Sequence, residues 1–251
     1  MNMAWINEKD GDVIILEADG VVADDKGYGY GIAEQLKRLN FRPIVVSLKE
    51  NSWRLDDLPN LPLIISGGMT EASADIPWVN EARDFVRKRI SFNKQVDQAK
   101  KIPLLGICFG AQLIAESQQK GSVTYLNQPQ MGVSTIKLDK QSCPLFVGYE
   151  GELPAYSFHY NQIKIDNVNI ISSHKFSGGE FVQAYEIEDS YCYGVQFHPE
   201  LTFPIFMQLI RNYQTLLEND LQLSIKEIEK NVRDIPANKQ IFTNFMSLQE
   251  S

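Results

Sequence analysis

The chain has 251 residues, 43% of them hydrophobic and 22% charged, a mixture that supports a buried core and excludes a disordered chain. Twenty-four basic against thirty-two acidic residues leave a net charge of −8, the wrong sign for a protein whose main partner is nucleic acid. No apolar run approaches the ~18 residues of a membrane span; the opening MNMAWINEKDGD has no secretory-signal pattern, and three scattered cysteines suit a reducing cytoplasm better than a disulfide framework.

Short apolar runs alternate with stretches of helical spacing through the first half. The run DVIILEA, 12–18, predicts a buried strand, and 31–40 a helix with Ile32, Leu36 and Leu39 on one face. Strands follow at 42–48 (RPIVVSL) and 61–66 (LPLIIS), an amphipathic helix at 78–90, a fourth strand at 102–107 (IPLLGI) and a helix at 109–119. Continuous apolar strands separated by helices predict an α/β fold: a mixed, mostly parallel sheet covered by helices on both faces. From about 123 to 197 the pieces VTYL, STIKLD, IKIDNVNIISSH, FVQAYEIED and YCYGVQF predict a β-rich half on the same sheet. Helical spacing returns at 201–217. Residues 218–251 read as a polar C-terminal appendage to a domain spanning 1–217, helical over 221–233 and stopped by Pro236.

Three strand ends carry chemistry. Gly106-Ile107-Cys108-Phe109-Gly110-Ala111-Gln112 follows a strand and opens a helix. A nucleophile on such a sharp turn stands clear of the sheet, and glycines two positions either side relieve backbone crowding. The helix N-terminus favours a thiolate and offers N–H groups to an oxyanion. Gly194-Val195-Gln196-Phe197-His198-Pro199-Glu200 follows another strand. His198 suits a general base near neutral pH, and Glu200 an acceptor that fixes its tautomer. Ile64-Ile65-Ser66-Gly67-Gly68-Met69 ends a third strand, where a Gly-Gly pair allows a backbone N–H to face a tetrahedral oxyanion.

In this order and context the three segments resemble a class I, triad-type glutamine amidotransferase domain over about residues 12–217. The resemblance is closest to stand-alone proteins similar to the glutaminase half of GMP synthase, which carry a Pro-Trp helix start, here Ile76-Pro77-Trp78-Val79 with Glu81. It implies Cys108 as nucleophile, His198 as general base and Glu200 as its orienter, with an oxyanion hole from the N–H groups of Gly68 and Phe109. It implies Gln112 near the bound glutamine. It also implies a substrate loop, Ser157-Phe158-His159-Tyr160-Asn161, whose His159, Tyr160 and Asn161 segment holds the amino-acid end, with Gln130-Met131-Gly132 ahead of the β-rich half. No metal or cofactor is expected. Met69 stands where the family usually has Pro, Phe158 and Asn161 replace its Ser and Asp, and residues 91–99 and the tail are additions.

Other candidates are set aside. Gly27-Tyr28-Gly29-Tyr30-Gly31 lacks the third glycine of a dinucleotide fingerprint, because Ile32 stands there, and Asp19, Asp24 and Asp25 would repel pyrophosphate; it reads as a flexible loop near the site. His174, Cys143 and Cys192 read as structural. The leading functional expectation is a glutaminase whose ammonia goes to an acceptor reaction in a partner synthetase, since 218–251 is too short to bury a synthetase core. Such subunits are often weakly active until a partner orders the oxyanion turn, here Gly67-Gly68-Met69. The alternatives are a stand-alone γ-glutamyl peptidase with the same triad and a non-catalytic binding relative.

Overall fold

The computed structural model describes residues 6–139, 143–176 and 179–249. Strands β1 (Val13–Glu17), β2 (Pro43–Ser47), β3 (Leu63–Ile65) and β4 (Leu104–Ile107) lie parallel in the order β2-β1-β3-β4. Successive side chains of a strand point to opposite faces, so each apolar run feeds two cores. Ile14, Leu16, Leu63, Ile65 and Leu104 pack on one face against α3 (Pro77–Gln95) and α4 (Phe109–Gln118). Val13, Ile15, Ile64, Leu105 and Ile107 pack on the other, where Ile32, Ala33 and Leu36 of α1 (Tyr28–Arg38) cover them. The short α2 (Leu48–Asn51), capped by Ser47, lies between β2 and β3.

The β-rich half adds β5 (Val123–Lys137), β6 (Glu152–Ile163), β7 (Asn169–Phe176), β8 (Gly179–Ile187) and β9 (Cys192–Val195). β9 lies parallel beside β4; β8, β6 and β5 continue the sheet antiparallel, and β7 pairs with β8 off this path. This is the expected α/β architecture, with a mostly parallel centre and helices on both faces. Two local expectations differ. VTYL and the STIK of STIKLD belong to one long strand with a register shift between Tyr125 and Gln130. The expected substrate loop 157–161 is the interior of β6, paired with β5 at Met131–Phe158 and Gln130–His159.

Residues 91–99 lengthen α3 to Gln95. There the fully buried Asn93 side chain donates to the carbonyls of Ile102 (2.8 Å) and Ser190 (2.6 Å) and accepts from Ile102 N–H (2.9 Å). One amide thereby ties α3 to the entries of both β4 and β9, the two strands that lead to the chemistry-bearing turns.

After α5 (Phe203–Asn212) the chain makes a wide helical turn at Leu216–Asp220, then α6 (Ile225–Asn231) and α7 (Lys239–Ser247). The helix α7 is not expected from the sequence. Its Ile241, Phe242 and Phe245 are fully buried beside Val13 and Ile15, so α7 completes the cover of the second sheet face. This packing differs from the polar appendage expected for 218–251, whose last two residues lie outside the described ones.

Candidate active site

Strands β3, β4 and β9 end side by side, and their following turns meet. Cys108 is the N-cap of α4 with φ 50° and ψ −104°, a strained conformation for a residue with a side chain. Its N–H donates to Val195 C=O (2.8 Å), and its carbonyl receives Gln112 N–H (3.0 Å). The flanking glycines are required by contact: a Cβ on Gly106 would lie 2.4 Å from the Gly110 carbonyl carbon, and one on Gly110 2.3 Å from the Ile65 oxygen. The Phe109 amide, first of its helix, has no intrahelical partner by position.

His198 follows β9, and its N–H donates to Tyr156 C=O on β6 (2.8 Å). Its Nδ1 lies 2.7 Å from Glu200 Oε1, with both side chains shut off from solvent. A carboxylate accepts, so Nδ1 donates to Glu200 and Nε2 is left for the site. Nε2 makes no well-formed hydrogen bond among the described residues, and the Cys108 turn is tied to the same segment by Cys108 N–H on Val195 C=O, three residues before His198. Burial alone would lower the imidazole's proton affinity; the Glu200 carboxylate and the Cys108 sulfur outweigh it and raise the pKa well above the usual histidine range.

The third turn is held by its own chain. Ser66 Oγ donates to Gly67 C=O (2.7 Å) and receives Ala18 N–H (3.0 Å). Because a trans peptide sets C=O and N–H on opposite edges, this bond directs the Gly68 N–H the other way. Asp19 holds the next two residues: Oδ1 receives Met69 N–H (3.1 Å) and Thr70 N–H (3.0 Å), and Oδ2 the Thr70 hydroxyl (2.6 Å).

Two further residues at this site were not singled out from the sequence. Gln112 donates to Gln196 Oε1 (3.1 Å), and Gln196 Nε2 points to Cys108 Sγ (3.7 Å), so a buried amide relay ends on the sulfur. Gln196 lies inside GVQFHPE, and that membership was the available signal. Tyr28 stacks on His198 with ring centroids 5.7 Å apart, and its hydroxyl meets Met69 Sδ at 3.4 Å. It is 2% exposed and begins α1, which corrects the flexible-loop reading of Gly27–Gly31. Those glycines make room for Glu17, whose Oε2 receives Gly29 N–H (2.8 Å): a Cβ on Gly27 would lie 2.5 Å from its carboxyl carbon. The chain's own carboxylate therefore fills this helix N-terminus.

The expected substrate residues divide by strand alternation. Phe158 C=O lies 3.8 Å from Cys108 Sγ, and Tyr160 OH donates to Met69 C=O (3.4 Å), so β6 meets the thiol through a backbone carbonyl and the Gly-Gly turn through the Tyr160 side chain. His159 lies across β6, its ring edge-on to Phe181 (5.9 Å) and its Nδ1 donating to Asn161 C=O (2.7 Å). Burial drives the His159 pKa down to about 4, so the ring is neutral at physiological pH and is no second proton carrier. Asn161 enters this arrangement through that carbonyl. Among the described residues, no three His, Cys, Asp or Glu side chains are grouped to hold a metal.

The other two thiols differ in kind from Cys108. Burial pushes Cys143 up to about 12, and Cys192 further up, and neither has an imidazole beside it. Brief iodoacetamide treatment near pH 7 is expected to label Cys108 first, read by peptide mapping. First labelling at Cys143 or Cys192 would refute an activated thiol at Cys108.

Residues 21–212 match the family model "Glutamine amidotransferase class-I". The imidazole glycerol phosphate synthase subunit HisH of Leptospira interrogans is 26% identical over 217 residues, 75% of this chain and 97% of its own. Gamma-glutamyl peptidase 4 of Arabidopsis thaliana is 26% identical over 75% of this chain and 74% of its own. A glutamine amidotransferase structure from Thermotoga maritima superposes with a TM-score of 0.67 over 96% of this chain and 99% of its own, at 17% identity. The chain belongs to the class-I glutamine amidotransferase family.

Proposed function

We propose that this chain hydrolyses the side-chain amide of glutamine with Cys108, His198 and Glu200, and passes the ammonia to an acceptor reaction in a partner protein of the cytoplasm. The observation that carries the reading is the meeting of the Cys108 turn with the buried His198–Glu200 pair. The Cys108 sulfur attacks the amide carbon, and its proton rests on His198 Nε2, steadied by Glu200 through Nδ1. The N–H groups of Gly68 and Phe109 receive the developing oxyanion. As the C–N bond breaks, His198 returns the proton to the leaving nitrogen and ammonia departs, leaving a γ-glutamyl thioester. Water then gives His198 a proton while its oxygen attacks the thioester; the C–S bond breaks, the thiol is restored and glutamate leaves. Gln112 and the β6 segment His159-Tyr160-Asn161 line the substrate's path, the latter through its backbone. The role of a partner subunit is supported by the kinship to HisH, a subunit of a synthase.

One observation favours a second reading. Ser66 and Asp19 hold the Gly-Gly turn from within the chain, so an oxyanion hole does not have to wait for a partner. A stand-alone γ-glutamyl hydrolase needs that, and a γ-glutamyl peptidase is among the relatives. The deciding experiment compares kcat/KM of the purified chain for L-glutamine and for γ-glutamyl dipeptides. Preference for glutamine and stimulation by an added synthetase partner support the amidotransferase. Strong preference for the dipeptide, unchanged by partner addition, replaces it with the peptidase.

A further inference from the structure

The family match ends at residue 212, and the chain beyond it returns to the His-Pro-Glu turn. The link between α6 and α7 passes the first half of β6, where Tyr156 sits, fully buried, with its ring 4.5 Å from that of Phe206. The Tyr156 hydroxyl donates to Arg233 C=O (3.1 Å) and receives Ile235 N–H (3.2 Å). The same residue's carbonyl receives His198 N–H (2.8 Å). Three residues further on, Asn238 N–H donates to Pro199 C=O (2.8 Å), and its side chain donates to Pro154 C=O (2.9 Å). From the other side, Gln35 Nε2 donates to Glu200 C=O (3.2 Å). The backbones of His198, Pro199 and Glu200 are thus each held by a different element, and two of the three ties lead to residues 233–238.

The far end of this link is firmly moored. α7 begins directly after Asn238, and its Ile241, Phe242 and Phe245 are fully buried, while Asn244 Nδ2 donates to the carbonyls of Leu145 (3.0 Å) and Val147 (2.8 Å). Ile235 is also buried. A tie to a moored segment restrains what it holds; a tie to a frayed terminus would not.

We propose that residues 233–238 form a strap, anchored by α7, that fixes the backbone of the His198-Pro199-Glu200 turn, with Tyr156 and Asn238 as its positioning residues. The proposal rests on the reading of His198 as the base acting on Cys108. A small rotation of this turn moves Nε2 relative to the sulfur, and misplacement of a reacting group by about 1 Å costs on the order of 10²-fold in rate. Neither positioning residue touches substrate, so the strap acts on kcat and leaves ground-state binding alone.

The test uses the full chain carrying Tyr156→Phe, which keeps the ring stack and the carbonyl but deletes the hydroxyl, Asn238→Ala, and both together. Asn238→Asp, which keeps the side-chain oxygen but not the donor to Pro154, and Asn238→Gln are the conservative comparisons. Measurements are kcat and KM per folded molecule, and the pH profile of Cys108 alkylation by iodoacetamide, which reports the thiol–imidazole pair without substrate. The double variant is expected to lose about 10-fold or more in kcat, with KM within twofold of wild type and the alkylation profile displaced, and Asn238→Gln is expected to recover part of the loss. A lowered melting temperature with unchanged kcat and unchanged alkylation profile would reduce the strap to a structural brace and overturn the proposal. If the double variant does not fold, Tyr156→Phe alone decides by the same criteria. Retained activity in His198→Ala would mark a different failure, that of the underlying assignment.

Discussion

Replacing Cys108 with alanine is expected to lower kcat/KM for glutamine, or for the better γ-glutamyl amide, by about 10⁴-fold or more. A thioester requires sulfur at the attacking position, and no other nucleophilic side chain stands on the α4 turn. His198 and Glu200 remain in Cys108→Ala, but a base without a thiol has only water to activate, in a place shaped for sulfur. His198→Ala is expected to be nearly as damaging, and the double variant scarcely worse than either single one, because residues acting as one unit do not contribute additively. Glu200→Gln is expected to cost less, since it loosens the ring's orientation without removing the base. The fold should survive Cys108→Ala: the side chain shrinks by one sulfur, the residue is 5% exposed, and its backbone is held by Val195 and Gln112. Steady-state kinetics with circular dichroism checks both halves. Activity within tenfold of wild type in a folded Cys108→Ala protein would remove this residue from the mechanism.

What the sequence disclosed about fold and site follows from the range of the signals. The strands at 12–18, 61–66 and 102–107 are legible because a buried parallel strand is written in one short apolar run. Gly106, Cys108 and Gly110 are legible because the crowding at a strand-to-helix turn acts over two residues, and the contact at Gly110 with Ile65 shows how little space there is. His198 and Glu200 are two positions apart, so their pairing is also local. The misses are long-range. Tyr28 looks like loop between glycines until α1 brings its ring over His198, 170 positions away. The segment 157–161 contains Ser, His and Asn and resembles a loop, but pairing with β5 makes it a strand. α7 was hidden by its polar flanks; its Ile241, Phe242 and Phe245 acquire meaning only once a sheet face beside α1 needs covering. In the sequence Asp19 is a charge hostile to phosphate; its actual contacts, the backbone amides of Met69 and Thr70, lie 50 and 51 positions further along the chain.

Asp19 also carries the second large expected effect. Asp19→Ala is expected to lower kcat by roughly 10²–10³, the cost of one misplaced oxyanion donor, while KM changes little. Its carboxylate closes the Gly67-Gly68-Met69 turn by receiving two consecutive N–H groups and the Thr70 hydroxyl. Without it these three donors lose their acceptor, and the hydrogen bond left on the peptide before Gly68, among the described residues, is that of the Ser66 hydroxyl to Gly67 C=O. In the proposed mechanism substrate in its ground state does not depend on that N–H and the tetrahedral oxyanion does, so the loss is expected to fall on the chemical step. Asp19→Asn keeps one oxygen for the Met69 and Thr70 amides and offers its NH₂ to the Thr70 hydroxyl as a donor, so it should retain most of the activity. Alkylation of Cys108 by iodoacetamide forms no oxyanion and should run at the wild-type rate in both variants. This separates a displaced donor from a collapsed site, which would slow both reactions together. An Asp19→Ala protein with wild-type kcat would mean that Ser66 alone sets the turn, and Ser66→Ala would then inherit the predicted loss.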